Sequence, residues 1–349
     1  MGSTFDNLCQ SRSIKNYPSY IKNNVHYECM MGSIAYGVSD DTSDIDIYGF
    51  CIPPRHIIFP YHHGALYDFD NPKEVFHQFQ QHHINTPKGK YDISIYNIVR
   101  FLRLCAENNP NMVDALFVPT RCVLHSTAIG NYIRDNRKKF LSKRCYHKFK
   151  GYAFSQLHKM KNKFAKEFVD HCKKYNIPLD ASLEDILAPL VGDDEAISHM
   201  MTVVNKIETN GKRSKRLPLI AEHGYDTKFA YHVVRLLDEC QMILEECDLD
   251  ITRSRKHLKA IRRGEWSMDK VIMYFDLKLP LMEELEAKSK LPYAVNMETI
   301  KEIILNVLEM HYGTLSSMVG GQKNVDRAVR KIAEGLSRIE NGLDILYEV

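Results

Sequence analysis

Two short runs of residues have the types and spacing to do chemistry. The first is Gly32-Ser33, where an apolar stretch gives way to a turn or a helix start. The second is Ser43-Asp44-Ile45-Asp46-Ile47-Tyr48-Gly49. On a strand, residues i and i+2 project from the same face, so Asp44 and Asp46 are expected side by side. Adjacent carboxylates repel unless a cation lies between them. Such a pair can hold two divalent ions about 3.5–4 Å apart, the spacing used for in-line phosphoryl displacement. Oxygen-only ligands favour Mg²⁺ or Mn²⁺ over zinc. A glycine lets a phosphate approach the backbone, free N–H groups attract anions, and Ser33 adds a hydroxyl donor. Each run alone reads as a turn or a solvated strand face. In this order they are the two halves of a nucleoside-triphosphate site.

A third group is Lys228, His232 and Arg235, spaced by four and three and so expected on one helix face. A cationic face suits a triphosphate or a nucleic-acid backbone, and the plain alternative is a solvated surface. Asp226 just before it reads as a helix N-cap. Basic residues also crowd Lys138–Lys166, interleaved with Tyr146, Phe149, Tyr152 and Phe154, and recur at Lys212–Arg216. These segments are the expected contacts for RNA or tRNA, against the reading that the aromatics are core and the charges solvated. His62, His63, His77, His82 and His83 match no metal-ligand spacing and read as loop or surface residues.

The elements that must position these groups follow from periodicity. Tyr27–Met31, Asp44–Phe50 and Asp92–Tyr96 read as strands, the second with one buried and one acidic face. Ile98–Ala106 and Met112–Phe117 read as helices, as does a short stretch around Asn71–Gln81. After about Phe140, helical spacing dominates: Tyr146–Phe168, Leu183–Lys206, Ala230–Glu246, Met268–Lys288, Met297–His311 and a last helix over Val325–Leu346. The expected architecture is α+β, with a small mixed sheet and flanking helices over residues 1–135, then an all-helical region over 136–349.

The combination of Gly-Ser with a following Asp-x-Asp strand resembles the DNA-polymerase-β-like nucleotidyltransferase superfamily. Gly32-Ser33-x-Ala35-Tyr36-Gly37, Ser43-Asp44-x-Asp46-x-x-Gly49 and Pro53-Pro54 resemble its RlaP/YcgL-type branch of bacteria and phages. So do Phe101-Leu102-Arg103-Leu104, Asn109-Pro110-Asn111, Gly151-Tyr152-Ala153, Gly224-Tyr225-Asp226-x-Lys228-x-Ala230-x-His232-x-x-Arg235-Leu236-Leu237 and Ile261-Arg262-Arg263-Gly264-Glu265-Trp266. The likeness spans about residues 28–285. It implies that Gly32, Ser33, Tyr36, Ser43, Lys228, His232 and Arg235 hold the nucleotide. It also implies a third carboxylate on a neighbouring strand, for which Asp92 is the candidate and Asp68 and Asp70 weaker competitors. Asp44, Asp46 and Asp92 would then hold two Mg²⁺ or Mn²⁺ ions and catalyse transfer from an NTP such as ATP, releasing pyrophosphate. RNA-repair associations of the branch imply an RNA 3′ end as acceptor. Nucleotidylation of a protein hydroxyl and a non-catalytic sensor or RNA-binding adaptor are the rivals.

Composition sets the frame. The chain has 349 residues, 44% apolar and 26% charged, with a net charge of +3. That excludes a largely disordered chain, and the small net charge gives no general argument for nucleic acid. Nine cysteines without a Cys-x-x-Cys pair suit a reducing compartment. With no long apolar run and no secretory pattern, the expected location is the cytoplasm, that of a host if the chain is phage-encoded.

Overall fold

A computed structural model describes residues 2–39, 44–60, 76–87, 89–209, 212–213, 216–314 and 332. The helix expected over Val325–Leu346 lies almost wholly outside these residues, as does the first part of the one expected over Asn71–Gln81. The architecture is α+β. Five strands, β1 (Val25–Met31), β2 (Ile45–Cys51), β3 (Gln78–Thr86), β4 (Gly89–Asn97) and β5 (Val123–Ser126), form one sheet in the order β3-β4-β2-β1-β5. Every pairing is antiparallel except β2 with β4, which run parallel.

Alternation explains what each sheet face does. Ile47, Ile93 and Ile95 point to one side and pack with Phe5, Leu8, Ile14 and Ile21 of the N-terminal segment. Tyr27, Cys29, Met31 and Phe50 point to the other, into a larger core shared with the helices. β2 is therefore covered on both faces, and the acidic character of its second face is confined to its first turnings of chain, at Asp44 and Asp46. Farther along that face come half-buried Tyr48 and buried Phe50.

Gln78–Gln81 are the start of β3, not the end of a helix. β3 has a bulge between Gln81 and Ile84, where His83 takes a φ of 56°. The bulge puts Phe79 and Ile84, five residues apart, on the same buried side, which hides the period-two signal.

Helix boundaries follow capping. Asn97 accepts a hydrogen bond from Val99 N–H at the start of Ile98–Ala106, and Asn109 from Met112 N–H at the start of Pro110–Phe117. The stretch expected as one helix over Tyr146–Phe168 is two, Cys145–Met160 and Lys163–Tyr175, because Asn162 caps the second. Leu183–Lys206 is likewise divided into Leu183–Leu187 and Asp194–Ile207, with Asp193 capping the latter. A two-residue hairpin, Glu208–Thr209 with Lys212–Arg213, interrupts the helical half.

The Thr227–Glu246 helix is buried along most of its length and joins the large core, packing against Cys145–Met160 and Met268–Lys288. A separate small core unites Lys163–Tyr175, Asp194–Ile207 and Leu217–His223 through Phe168, Val203 and Ile220. Among the described residues no helix is long and apolar enough to cross a membrane.

Candidate active site

The parallel pairing of β2 and β4 places Asp46 opposite Asp92. Asp44 lies directly before β2 and Gly32 directly after β1, whose last residue Met31 pairs with Asp46. The four residues thus meet at one end of three neighbouring strands. Gly32 has a φ of +64°, and a Cβ built there would lie 2.1 Å from Asp46 Oδ2. Both the backbone conformation and the close approach demand glycine. The carboxyl of Asp46 is pushed up to about 6, first by burial, then by the Asp92 carboxylate and also by Asp44, against the pull of Lys228 and His82.

Asp92 is held from β3. His83 N–H donates to its Oδ1 at 2.7 Å, and His82 Nδ1 lies 3.1 Å from its Oδ2. The bulge brings both histidines to this carboxylate, a contact their sequence spacing gave no means of finding. Ser43, Asp68 and Asp70, and with them His62 and His63, lie outside the described residues. Among the described residues no three His, Cys, Asp or Glu side chains form a ready-made metal cluster. The donor set nevertheless suits a hard cation: carboxylate oxygens alone, with Asp46 carrying a charge that its surroundings leave poorly compensated.

The cationic helix face divides by role. Lys228 is exposed and acts on Asp46. His232 is half-buried, with its ring 4.1 Å from that of Tyr231. Burial holds its pKa well below the usual range, helped by Arg235, Lys228, Arg216 and Arg262, so it is a neutral imidazole among cations. Arg235 is buried: its Nη1 donates to Asp114, and to Glu239 at 2.9 Å. Tyr36 is buried too and donates its hydroxyl to Asp114 Oδ2 at 2.7 Å. Tyr36 and Arg235 therefore meet through Asp114, tying the turn after Gly32 to the long helix, and neither side chain faces open solvent. Ser33 is half-buried in the Gly32–Ala35 turn of helix, with its carbonyl accepting from Val38 N–H at 2.8 Å.

Beside Lys228 opens a cleft of about 340 Å³ lined by Val38, Ser39, Lys228, Lys259, Arg262 and Arg263 among others. Lys259 and Arg262 were not singled out from sequence as ligand-facing, although Arg262 and Arg263 belong to one of the quoted strings. What gathers them here is the packing of the Arg255–Arg262 helix on the Thr227–Glu246 helix. Asp226 caps the long helix, accepting from Lys228 and Phe229 N–H at 2.9 and 3.1 Å.

The basic run Lys138–Lys166 is not one surface. Lys138 pairs with Asp248 at 2.6 Å, Lys143 Nζ donates to the Ala287 carbonyl, and Lys150 Nζ to the Tyr146 hydroxyl. Tyr146 and Phe149 are buried core residues, whereas Tyr152 and Phe154 are exposed.

Comparison with protein families finds a match over residues 10–271, most of the chain, to a family described as "RNA repair pathway DNA polymerase beta family". No curated protein and no solved structure matches the chain.

Proposed function

The chain belongs to the RNA repair pathway DNA polymerase beta family, and on that premise we propose that it moves a nucleoside monophosphate from an NTP to an acceptor hydroxyl at an RNA 3′ end. The observation that carries the reading is the meeting of Asp46 and Asp92 across β2 and β4, with Gly32 against one side and Lys228 acting on the same carboxylate.

Residue roles follow from position. Gly32 and Ser33 present backbone and hydroxyl donors to the phosphates without a Cβ in the way. Lys228, with Lys259 and Arg262 across the cleft, supplies positive charge for the triphosphate and the departing pyrophosphate. His232, neutral, can donate or accept a hydrogen bond without adding charge. Asp114, Arg235 and Tyr36 act one layer away by fixing the turn that carries Gly32 and Ser33. Asp92, contacted by His82 and His83, would take the acceptor proton. Asp44, Asp46 and Asp92 would hold Mg²⁺ or Mn²⁺, whose chemistry when bound is to neutralise phosphate charge and sharpen the acceptor oxygen as a nucleophile.

The test is transfer of label from each α-labelled NTP with Mg²⁺ or Mn²⁺, offering a tRNA pool, a short RNA and lysate protein. Wild type should label RNA and Asp44→Ala/Asp46→Ala should not. Label on protein instead would move the acceptor to a side-chain hydroxyl. Nucleotide binding without transfer to any acceptor would make the chain a sensor.

A further inference from the structure

About 710 Å³ of open groove lies between the start of the Lys163–Tyr175 helix and the start of the Thr227–Glu246 helix. It is lined by His158, Lys159, Lys161, Lys163, Phe164 and Phe229, together with Asn162, and no acidic residue is among them. Phe164 is 37% exposed although it is a phenylalanine at the beginning of a helix, and it belongs to neither neighbouring core. Its exposure therefore serves no packing that the described residues show. Phe229 forms the opposite wall. The Arg216 guanidinium covers its ring at 3.9 Å and is itself anchored by Asp226 at 3.3 Å, while Lys159 Nζ stands 5.8 Å from the ring centroid. Phe229 adjoins Lys228, so the groove begins one residue away from the cationic side of the candidate active site.

Resting on the proposed transfer to RNA, we infer that this groove is the track for the single-stranded end of the acceptor RNA, with a base stacked on Phe164 and backbone phosphates on Lys159, Lys161 and Lys163. An exposed aromatic ring between lysines is what an unpaired strand requires: every base has a face to stack, and every linkage a charge to neutralise. A duplex keeps its bases stacked on one another and has no use for Phe164. A folded protein acceptor would meet a wall of lysines without an acidic residue to orient it. Only a small part of the Lys138–Lys166 run takes part, and none of Tyr146, Phe149, Tyr152 or Phe154 lines the groove.

The experiment is fluorescence anisotropy of the full chain with a labelled single-stranded RNA of about ten nucleotides, and with the same RNA annealed to its complement. Wild type should prefer the single strand. Phe164→Ala should weaken single-strand binding about tenfold, and Phe164→Trp should restore it. Neutralising all three lysines, Lys159→Gln/Lys161→Gln/Lys163→Gln, should lower the slope of log affinity against log salt by roughly 2. Affinity for NTP should stay within about twofold in all three variants, which also shows that they fold. Asp46→Asn should keep full RNA affinity even though transfer is lost, so failure of the chemistry and failure of the groove are separable. Unchanged RNA affinity in Phe164→Ala, or equal or tighter binding of the duplex, would overturn the assignment.

Discussion

At the scale of single residues, the decisive fact is that Asp46 is uncomfortable. Its folded carboxyl holds a proton up to about 6, against an ordinary value of 3.8. A group whose folded pKa is raised gives its full stability below the unfolded value and loses it as pH climbs through the folded one. The metal-free protein should therefore lose stability between about pH 4 and 6 from this residue alone. Asp46→Asn should raise metal-free stability at pH 8 by an amount of order 1–3 kcal/mol, seen as a higher thermal midpoint, while transfer falls by roughly a thousandfold or more. Mg²⁺ should stabilise wild type and leave the variant nearly unmoved in the same thermal scan. Gly32→Ala should fail for two reasons at once: a φ that disfavours a side chain and a methyl driven into Asp46. We expect a loss of more than about 1 kcal/mol of stability and a hundredfold or greater loss of transfer, read by denaturant titration and labelled-NTP assay. Gly-Ser and Asp-x-Asp were visible in the sequence because their spacing is short and their chemistry local. The two histidines on Asp92 were not, because a bulge rather than a spacing rule brings them there.

Elements were legible where alternation was clean. β2 and β4 show it, and Ile98–Ala106 follows its periodicity to the residue. β3 hid itself by mixing polar residues with a bulge that shifts its buried positions from one parity to the other, and β5, four residues long, carries too little pattern to stand out. Gly49 illustrates a motif glycine whose reason is structural: a Cβ there would lie 2.2 Å from the Tyr27 carbonyl, so it keeps β1 and β2 close rather than touching nucleotide. One junction between elements should respond to acid. His26 Nε2 on β1 meets His311 Nδ1 on the Met297–Tyr312 helix at 3.1 Å, and burial, then His311 and His125, push the His26 pKa down to about 4. An imidazole depressed from 6.5 contributes its stability above that value and loses it as pH falls toward 4. Hydrogen exchange of the Met297–Tyr312 helix, corrected for intrinsic rate, should therefore accelerate between pH 7 and 5. Buried Glu28, pushed up to about 7 by burial, works in the opposite direction, so the global thermal midpoint should move less than this local signal.

Across the whole molecule, the Arg235 cluster binds the two halves of the site. One guanidinium faces two buried carboxyls, Asp114 and Glu239, and burial raises the pKa of both. Asp114 Oδ1 and Arg235 Nε make no hydrogen bond, so the cluster is only partly satisfied. Removing this cation strands both acids: Arg235→Met should cost about 3–5 kcal/mol in urea unfolding. Glu239→Gln, which leaves Arg235 paired with Asp114, should cost less than about 2 kcal/mol. The sequence could place Arg235 on a helix face with Lys228, but not reveal that one is buried and the other exposed, since that depends on what packs against each turn. The shared core has a further consequence during synthesis. The sheet, and the Pro110–Phe117 helix that packs on it, leave the ribosome long before the Thr227–Glu246 helix that carries Lys228 and Arg235. For that interval the nascent chain holds Asp114 without its guanidinium partner and an acidic pocket with no Lys228 opposite. On the proposed function, a growing chain thus has its carboxylates before it has the cation for a triphosphate, and the site is complete only when translation has passed the long helix.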